Sequence, residues 1–181
     1  MEVSLAKLEH LKSYTDFLVE CYQSGLSKYK EAVSEPKKFL ERTVLDRDHT
    51  STYLCVENKE ILGAIRVRHF TSEYIESVIG HVGYETKPTA RGKGVAGFML
   101  TWVQENVIDL DVIVTCEVDN KASEKVIKRC GGEYLNQIYS PEKQNHVKRY
   151  RLPSTKQAVK KGQNTVGFAR ASQISANPIA P

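Results

Sequence analysis

The sequence predicts an α/β domain in which helices flank a mixed β-sheet, and three observations support this fold class. Segments of helical periodicity alternate with short strand-like runs through residues 1–153. The centre of residues 111–118, DVIVTCEV, is continuously apolar, as in a strand buried between parallel neighbours. A chain of 181 residues is long enough for one such domain and too short for two.

The first half of the chain predicts two helices and then three strands, after a possible first strand at residues 3–8. Residues 11–22 place their apolar side chains on one helical stripe. Residues 35–45 form a second helix with Pro36 near its first turn. A tight polar turn at Asn58-Lys59 joins the first two strands into a hairpin. The three strands are expected at residues 52–57, 61–70 and 78–86.

The second half of the chain alternates helices with strands. One helix is expected from about Gly92, where apolar residues begin to recur at helical spacing. Another begins at a cap supplied by Asp119 or Asn120 and ends at the Gly131-Gly132 pair. The strands are expected at residues 111–117, 133–139 and 146–152.

The net charge of +4 is concentrated at the C-terminal end of the sequence. From residue 154 onward there are four basic residues and no acidic one, which leaves 22 basic against 22 acidic residues in the rest of the chain. A neutral body does not indicate a nucleic-acid partner. Residues 154–181 are also poor in apolar side chains, so we expect a domain at 1–153 and a flexible basic tail at 154–181.

Cysteine usage and the apolar runs limit where the protein acts. The four cysteines, Cys21, Cys55, Cys116 and Cys130, form no C-x-x-C pair and neighbour apolar residues. This pattern predicts buried free thiols in a reducing cytoplasm and no zinc site. No apolar run is long enough to span a bilayer, and the N-terminal residues have no signal-peptide core, so no membrane association is expected.

The stretch from Gly83 to Leu100, GYETKPTARGKGVAGFML, contains two overlapping glycine motifs. Gly92, Gly94 and Gly97 match the G-x-G-x-x-G fingerprint of dinucleotide-binding folds. That fingerprint needs a strand that runs directly into the first glycine, whereas KPTAR intervenes here. It also needs successive βαβ units, and an antiparallel hairpin precedes it instead. A nicotinamide dinucleotide site is therefore not expected.

The second motif, R-x-x-G-x-A, fits the local structure better. Gly92 and Gly94 lack the Cβ atoms that would keep backbone N–H groups away from a pyrophosphate. The helix that follows adds unpaired N–H groups and the positive end of its dipole. Arg91 and Lys93 supply positive charge at the rim. A glycine-rich turn that merely starts a helix remains the alternative.

These residues resemble the acetyl-CoA-binding motif of the GNAT N-acetyltransferase superfamily. The resemblance extends over about residues 3–152 and includes the helix–helix–hairpin order and the Asn120-x-x-Ser123 pattern. RVRHFTSEYIES, GHVGYETKP and VTCEVDNKASEKVIKRCGG resemble a bacterial branch of predicted acetyltransferases with RH…E…GH(I/V)GY and DNxAS signatures. The resemblance implies a splayed, largely antiparallel central sheet, acetyl-CoA as acyl donor, no metal and a possible homodimer.

The resemblance also assigns the donor site residue by residue. The pantetheine arm of acetyl-CoA would pair with the backbone between the strands at 78–86 and 111–117. The pyrophosphate would lie on the N–H groups of the loop and the first helical turn. The cofactor-binding residues are therefore expected to be Tyr84, Glu85, Thr86, Arg91, Gly92, Lys93, Gly94, Val95, Ala96, Asn120 and Ser123.

Two positions depart from the superfamily pattern. Many members carry a Tyr seven residues after the Asn as general acid toward the departing thiolate. This chain has Ile127 there, and Gly132 where an aromatic residue is usual. The acid is therefore not transferred to this chain, and water is expected to protonate the thiolate.

Catalytic and acceptor-binding residues are expected near the opening between the strands at 78–86 and 111–117. His81 is the first candidate base, because its ordinary pKa is near neutral, and a histidine satisfied within the sheet is the equal alternative. Glu73 is either a base or a solvated carboxylate, and Tyr84 either donates to the carbonyl or only packs. Arg68 and His69 either bind an acidic part of the substrate or pair with nearby glutamates.

The function predicted from the sequence is transfer of an acetyl group from acetyl-CoA to a primary amine. The amine would belong to an unidentified small molecule or peptide, and the attack would be direct in a ternary complex. A non-catalytic acyl-CoA sensor is the alternative, because the usual acid is absent at Ile127.

Overall fold

The computed structural model describes residues 1–156 and contains a seven-stranded sheet with the order β1-β2-β3-β4-β5-β7-β6. All neighbouring strands are antiparallel except β4 and β5. The strands are β1 Glu2–Leu5, β2 Thr50–Glu57, β3 Glu60–Arg68, β4 Val82–Thr86, β5 Val112–Glu117, β6 Glu133–Ser140 and β7 Asn145–Leu152. The helices are α1 Leu11–Gln23, α2 Lys30–Ser34, α3 Pro36–Leu45, α4 Val95–Asn106 and α5 Lys121–Arg129.

The two faces of the sheet bury different helices, as side-chain alternation along β2 and β3 requires. Leu54 and Ala64 are fully buried with apolar residues of α1 to α3. Cys55 and Ile65, the next residue on each strand, are fully buried in a separate core with α4 and α5. The predicted fold class, a mixed and largely antiparallel sheet flanked by helices, is confirmed.

One predicted strand begins later than expected. The strand expected from residue 78 begins only at Val82, because Ile75–Ile79 form a helical turn. Gly80 ends that turn with a φ of 72°. His81 therefore precedes β4, so alternation along the strand does not determine its orientation.

Two helical features also differ from the prediction. The helix expected from about Gly92 begins at Val95, because Gly92 and Gly94 have φ values of 77° and 83°. Such values lie outside the helical region and suit glycine best. The short helix α2 was not predicted, since five residues carry too little periodicity to be recognised.

The contacts of the domain continue to the last residues described. The Ser154 hydroxyl donates to the Ile108 carbonyl at 2.8 Å, and the Lys156 ammonium lies 3.1 Å from the Asp109 carboxylate. The rest of the expected flexible tail, from residue 157, lies outside the described residues. Within residues 1–156, no helix has the length and apolar content needed to cross a membrane.

Candidate active site

The sheet opens between its two parallel strands. β4 and β5 pair only at Val82 and Val114, whereas β4 pairs with β3 from Val82 to Thr86. Beyond that single pair, Tyr84, Glu85 and Thr86 are separated from the C-terminal half of β5. Backbone groups along the opening are therefore available to a ligand, as the resemblance implies.

Gly80 and His81 hold the start of β4 against β5 at the closed end of the opening. A Cβ atom on Gly80 would lie 3.0 Å from both the Ile113 carbonyl oxygen and the Thr115 nitrogen. The His81 N–H donates to the Ile113 carbonyl at 2.6 Å. The His81 Nδ1 accepts from the Ile113 N–H at 3.2 Å, which assigns the neutral tautomer with its proton on Nε2. Burial lowers the pKa of His81 below its ordinary value.

The residues proposed to bind the acceptor or remove its proton occupy separate places. Arg68 Nη1 donates to the Gly80 carbonyl at 2.9 Å, so its guanidinium fixes the same junction. His69 is exposed, and its Nε2 lies 2.7 Å from the Ser51 hydroxyl. Glu73 is exposed in the helical turn before β4. Neither Arg68 nor His69 forms an ion pair with Glu73 or Glu76 among the described residues, so that alternative for the two residues finds no support.

The loop between β4 and α4 has the geometry of an anion cradle. Residues 91–94 are exposed, while Val95 is buried and Ala96 is partly buried. The Phe98 N–H donates to the Gly94 carbonyl at 3.0 Å, which starts the hydrogen-bond ladder of α4. The preceding N–H groups of Val95 and Ala96 belong to the first turn, which has no intrahelical acceptor. No atom lies within 4 Å of a Cβ on Gly92 or Gly94, so the approach to these N–H groups is open.

Ion pairs anchor this loop to the first helix. Lys87 is 9% exposed and forms ion pairs with Glu20 at 3.1 Å and with Glu60. The Glu20 carboxylate also accepts from the Thr89 N–H at 2.9 Å. The hydrogen bond to Glu60 is the main cause that raises the pKa of Lys87. The KPTA segment is thus a fixed connection between β4 and the glycines.

The Glu85 side chain lies on the same side of the sheet as α1. Its carboxylate is 2.9 Å from the Lys28 ammonium and 3.7 Å from the Arg91 guanidinium. Arg91 is thereby directed toward β4 while remaining half exposed. Through Glu85, the segment that follows α1 is therefore connected to Arg91 at the start of the glycine loop.

Tyr84 spans from β4 to α5. Its hydroxyl lies 2.8 Å from the Ser123 hydroxyl, and the Ser123 N–H donates to the Asn120 Oδ1 at 3.0 Å. Asn120 is therefore the N-cap of α5, as predicted. Burial raises the pKa of Tyr84 to about 12, so its hydroxyl keeps its proton at neutral pH.

The two positions that depart from the superfamily pattern depend on each other. Ile127 is fully buried in the core under α4 and α5. A Cβ atom on Gly132 would lie 2.4 Å from the Ile127 Cγ2 and 2.8 Å from the Ile127 carbonyl oxygen. A larger residue at 132 would collide with Ile127, and Ile127 itself offers no proton.

A further group of polar residues lies on the face of β3 that packs against α1 to α3, and the sequence did not identify it. Arg66 lies on the floor of a groove of about 680 Å³ between α3, β2 and β3. The Tyr14 and Tyr29 side chains, from two separate segments, approach the same guanidinium. Alternation along β3 placed Arg66 and Arg68 on one face, but no sequence signal indicated the tyrosines.

No group of three or more potential metal-ligating side chains occurs among residues 1–156. Three of the four cysteines are buried, Cys130 is partly buried, and all four are free thiols. Burial raises the pKa of Cys116 above its ordinary value, which disfavours the thiolate.

The chain is similar to known acetyltransferases in both sequence and fold. Residues 11–132 match the model of the acetyltransferase (GNAT) family. No curated protein sequence matches the chain. The ribosomal L7/L12 α-N-protein acetyltransferase RimL, solved in complex with coenzyme A, is 17% identical, with a TM-score of 0.65 over 83% of this chain and 93% of that one.

Two other solved structures have comparable similarity. The microcin C7 self-immunity acetyltransferase MccE, in complex with acetyl-CoA and AMP, is 16% identical, with a TM-score of 0.67 over 84% of this chain and 92% of that one. A chimera of the Vibrio cholerae spermidine N-acetyltransferase SpeG with hSSAT is 15% identical, with a TM-score of 0.63 over 88% and 99% of the two chains. At these identities the similarity shows a shared fold.

Proposed function

The chain belongs to the GNAT acetyltransferase family, and we propose that it transfers an acetyl group from acetyl-CoA to a primary amine of a small molecule or peptide. The observation that carries this proposal is the opening between β4 and β5 next to the left-handed glycines 92 and 94. The opening suits an extended arm with amide groups, and the glycine loop suits a pyrophosphate. The solved relatives RimL and MccE were captured with coenzyme A and acetyl-CoA, which supports the same donor here.

The donor would bind by backbone groups and a few side chains. Tyr84, Glu85 and Thr86 would pair with the pantetheine arm along the open edge of β4. The N–H groups from Gly92 to Ala96 would surround the pyrophosphate, with the Arg91 and Lys93 charges beside it. Asn120 and Ser123 would contact the donor from α5.

The transfer forms one C–N bond and breaks one C–S bond. The amine must first be neutral, and at pH 7 a lysine-like amine has lost its proton in only a small fraction of molecules, a penalty of roughly 4–5 kcal/mol. The neutral nitrogen attacks the thioester carbonyl, the C–S bond breaks, and the thiolate leaves and takes a proton from water. The amine proton passes to a base or to water.

His81 and Glu73 remain the candidate bases. For His81 to accept a proton, its Nδ1 must release the Ile113 N–H that it now accepts from. Glu73 is exposed, so it would act from the solvent side. The geometry favours a water relay over either side chain, and the pH dependence of the His81 variant tests this.

Tyr84 suits a hydrogen-bond donor better than an acid. The pKa of the Tyr84 phenol, about 12, is higher than the ordinary pKa of a thiol, about 8.5, so the phenol is a weaker acid than the thiol that forms when the thiolate is protonated. It can, however, donate to the carbonyl oxygen as negative charge develops there. We therefore propose that Tyr84 stabilises the tetrahedral intermediate.

Buried free thiols suit a reducing compartment, which supports a cytoplasmic location as part of this proposal. A homodimer stays a prediction.

Release of free thiol from acetyl-CoA across a panel of amines, amino acids and peptides tests the enzyme directly. Turnover with at least one acceptor is expected, and mass spectrometry should find the N-acetyl product. The alternative, a non-catalytic acyl-CoA sensor, is favoured by the apolar Ile127 at the usual acid position. Clear stabilisation by acetyl-CoA without turnover on any acceptor would support the sensor and exclude the enzyme.

A further inference from the structure

Two arginines lie side by side on the sheet face that packs against the first three helices. Arg66 and Arg68 are two residues apart on β3, so their side chains project from the same face. Gly83 is opposite Arg66 on β4, and the Arg68 Nη1 lies 3.7 Å from where a Cβ on Gly83 would be. The absence of a side chain at Gly83 leaves space beside the Arg68 guanidinium.

The groove at Arg66 also contains Asp46 and Asp48, but no carboxylate of the described residues pairs directly with either arginine. Within residues 1–156, neither guanidinium forms an ion pair with an acidic side chain, in contrast to other arginines of the domain. Both side chains are partly buried, so water screens them incompletely. The charge of Arg66 adds to burial in lowering the pKa of Arg68, which indicates that the two guanidinium groups repel each other. Arginines that do pair with carboxylates are Arg42, Arg91 and Arg151.

Two buried phenols complete this group. Tyr14 is 0% and Tyr29 is 2% exposed, and the hydroxyl of each is buried without a hydrogen bond of normal geometry. Burial alone would lower the pKa of Arg66, but the adjacent phenols raise it above the ordinary value. A buried hydroxyl without a partner is uncommon in folded proteins, because its desolvation is not offset.

The group lies within a small molecule's length of the predicted reaction centre. Arg66 is directly opposite Gly83, the residue before Tyr84, and such strand partners have Cα atoms about 5 Å apart. Arg66 is also open to solvent through the groove, where Thr50 and Thr52 line the same wall. The groove residues come from α3, the segment after it, β2 and β3, so a ligand held at Arg66 would reach the opening by passing over Gly83, which has no side chain.

We propose that the group of Tyr14, Tyr29, Arg66 and Arg68, called the arginine pocket, binds a carboxylate of the acceptor. A guanidinium matches a carboxylate with two parallel N–H donors. The hydroxyls of Tyr14 and Tyr29 are buried behind Arg66, so they position its guanidinium and do not contact the ligand. The acceptor is accordingly a compound with both a primary amine and a carboxylate, either a free amino acid or a short peptide with its C-terminal carboxylate. The acetylation of that compound rests on the proposed function, whereas the binding of its carboxylate does not.

The test compares each free L-amino acid with its C-terminal amide, which keeps the amine and removes the negative charge. Thiol release from acetyl-CoA is measured for both, together with thermal stabilisation in the presence of CoA, which allows no turnover. We expect at least one acid to have a KM at least about tenfold lower than its amide. Dipeptides and their amides distinguish a free amino acid from a peptide terminus.

Variants of the arginine pocket show whether its side chains cause the preference for the acid over the amide. Arg66→Gln should raise the KM of the preferred acid by at least about tenfold and leave the KM of its amide unchanged. Arg66→Lys should recover part of the loss. Tyr29→Phe removes only a hydroxyl and should give a smaller increase of KM in the same direction. Arg129→Gln, the same change of charge on an exposed part of α5, is the matched control and should behave as wild type.

Thermal stabilisation by acetyl-CoA shows which variants are folded. If Arg66→Gln does not fold, Tyr29→Phe replaces it as the variant that tests the arginine pocket. Equal use of acids and amides, or an Arg66→Gln variant that keeps the preference, overturns the arginine pocket while the acetyltransferase stands. If no amine is acetylated, the proposed function fails instead. The pocket is then judged by stabilisation alone: it stands if acids stabilise the wild type and not Arg66→Gln, and falls if acids and amides act alike.

Discussion

The glycine loop after β4 and the arginine pocket on β3 both present positive charge, but they are built in different ways. The loop is one contiguous segment, in which Gly92 and Gly94 turn the backbone so that N–H groups face outward. The pocket joins side chains from α1, the segment before α2, and β3. Backbone donors at the loop can hold any pyrophosphate, whereas side chains at the pocket select a particular acceptor. The proposed donor site thus depends on backbone conformation, and the proposed acceptor site depends on which side chains the fold brings together.

The largest expected effect is on the loop. Gly94→Val places a β-branched residue at a φ of 83° and adds bulk over the N–H groups, so acetyl-CoA affinity should fall at least about 100-fold. Gly25→Val is the matched control, since Gly25 also has a positive φ, 95°, and no atom within 4 Å of a Cβ. Both variants should lose about 1–3 kcal/mol of unfolding free energy. Only Gly94→Val should lose thermal stabilisation by acetyl-CoA. If acetyl-CoA stabilises Gly94→Val as much as it stabilises the wild type, the donor site does not lie at this loop.

The junction between β4 and β5 comes next. Gly80→Ala brings a Cβ to 3.0 Å from two backbone atoms of β5 at a φ of 72°, and should cost about 2 kcal/mol of unfolding free energy. Gly83→Ala, three residues away, meets only the Arg68 guanidinium at 3.7 Å and should change stability by less than about 0.5 kcal/mol. Urea unfolding measures both. Equal losses in the two variants would contradict the close contact at Gly80.

The sequence was most informative for features formed by residues that lie close together along the chain. The glycine turn before α4 and a cap at Asp119 or Asn120 follow from local rules, since each involves residues a few positions apart. The start of α4 was predicted about three residues too early, at Gly92 and not at Val95. The acetyltransferase family and the mixed, largely antiparallel fold class were also identified correctly, the family from its motifs and the fold class from the order of elements. Thus the local backbone of this region was largely predicted, and binding of acetyl-CoA by its residues stays a prediction.

The remaining features depend on long-range packing. No local pattern indicates that Tyr14 and Tyr29 meet Arg66, because the three belong to separate elements. The bond from the Ile113 N–H to the His81 ring likewise needs the parallel pairing of β4 with β5. The strand predicted from residue 78 was too long for a related reason, since the apolar Ile75–Ile79 turn packs against β5 rather than continuing β4.

A smaller effect is expected where donor and acceptor meet. Tyr84→Phe removes the hydroxyl that lies 2.8 Å from Ser123, and should lower kcat by about tenfold with little change in KM. Ser123→Ala keeps the phenol but removes its partner, so its kcat should fall less. Steady-state kinetics with the best acceptor measures both. If Tyr84→Phe keeps the wild-type kcat, the phenol only packs and takes no part in stabilising the intermediate.

The smallest effect concerns His81 and depends on pH. Burial lowers the pKa of His81 in the folded protein, so its contribution to stability is complete above the unfolded value of about 6.5 and is lost as the pH falls through the folded value. His81→Ala should therefore be less stable than wild type by about 1 kcal/mol at pH 8, and the gap should narrow toward pH 5. A gap that does not vary with pH would contradict the neutral, hydrogen-bonded ring. The pH–rate profile of the same variant decides the second role, because the profile flattens near neutrality if His81 is the base and keeps its shape if water removes the amine proton.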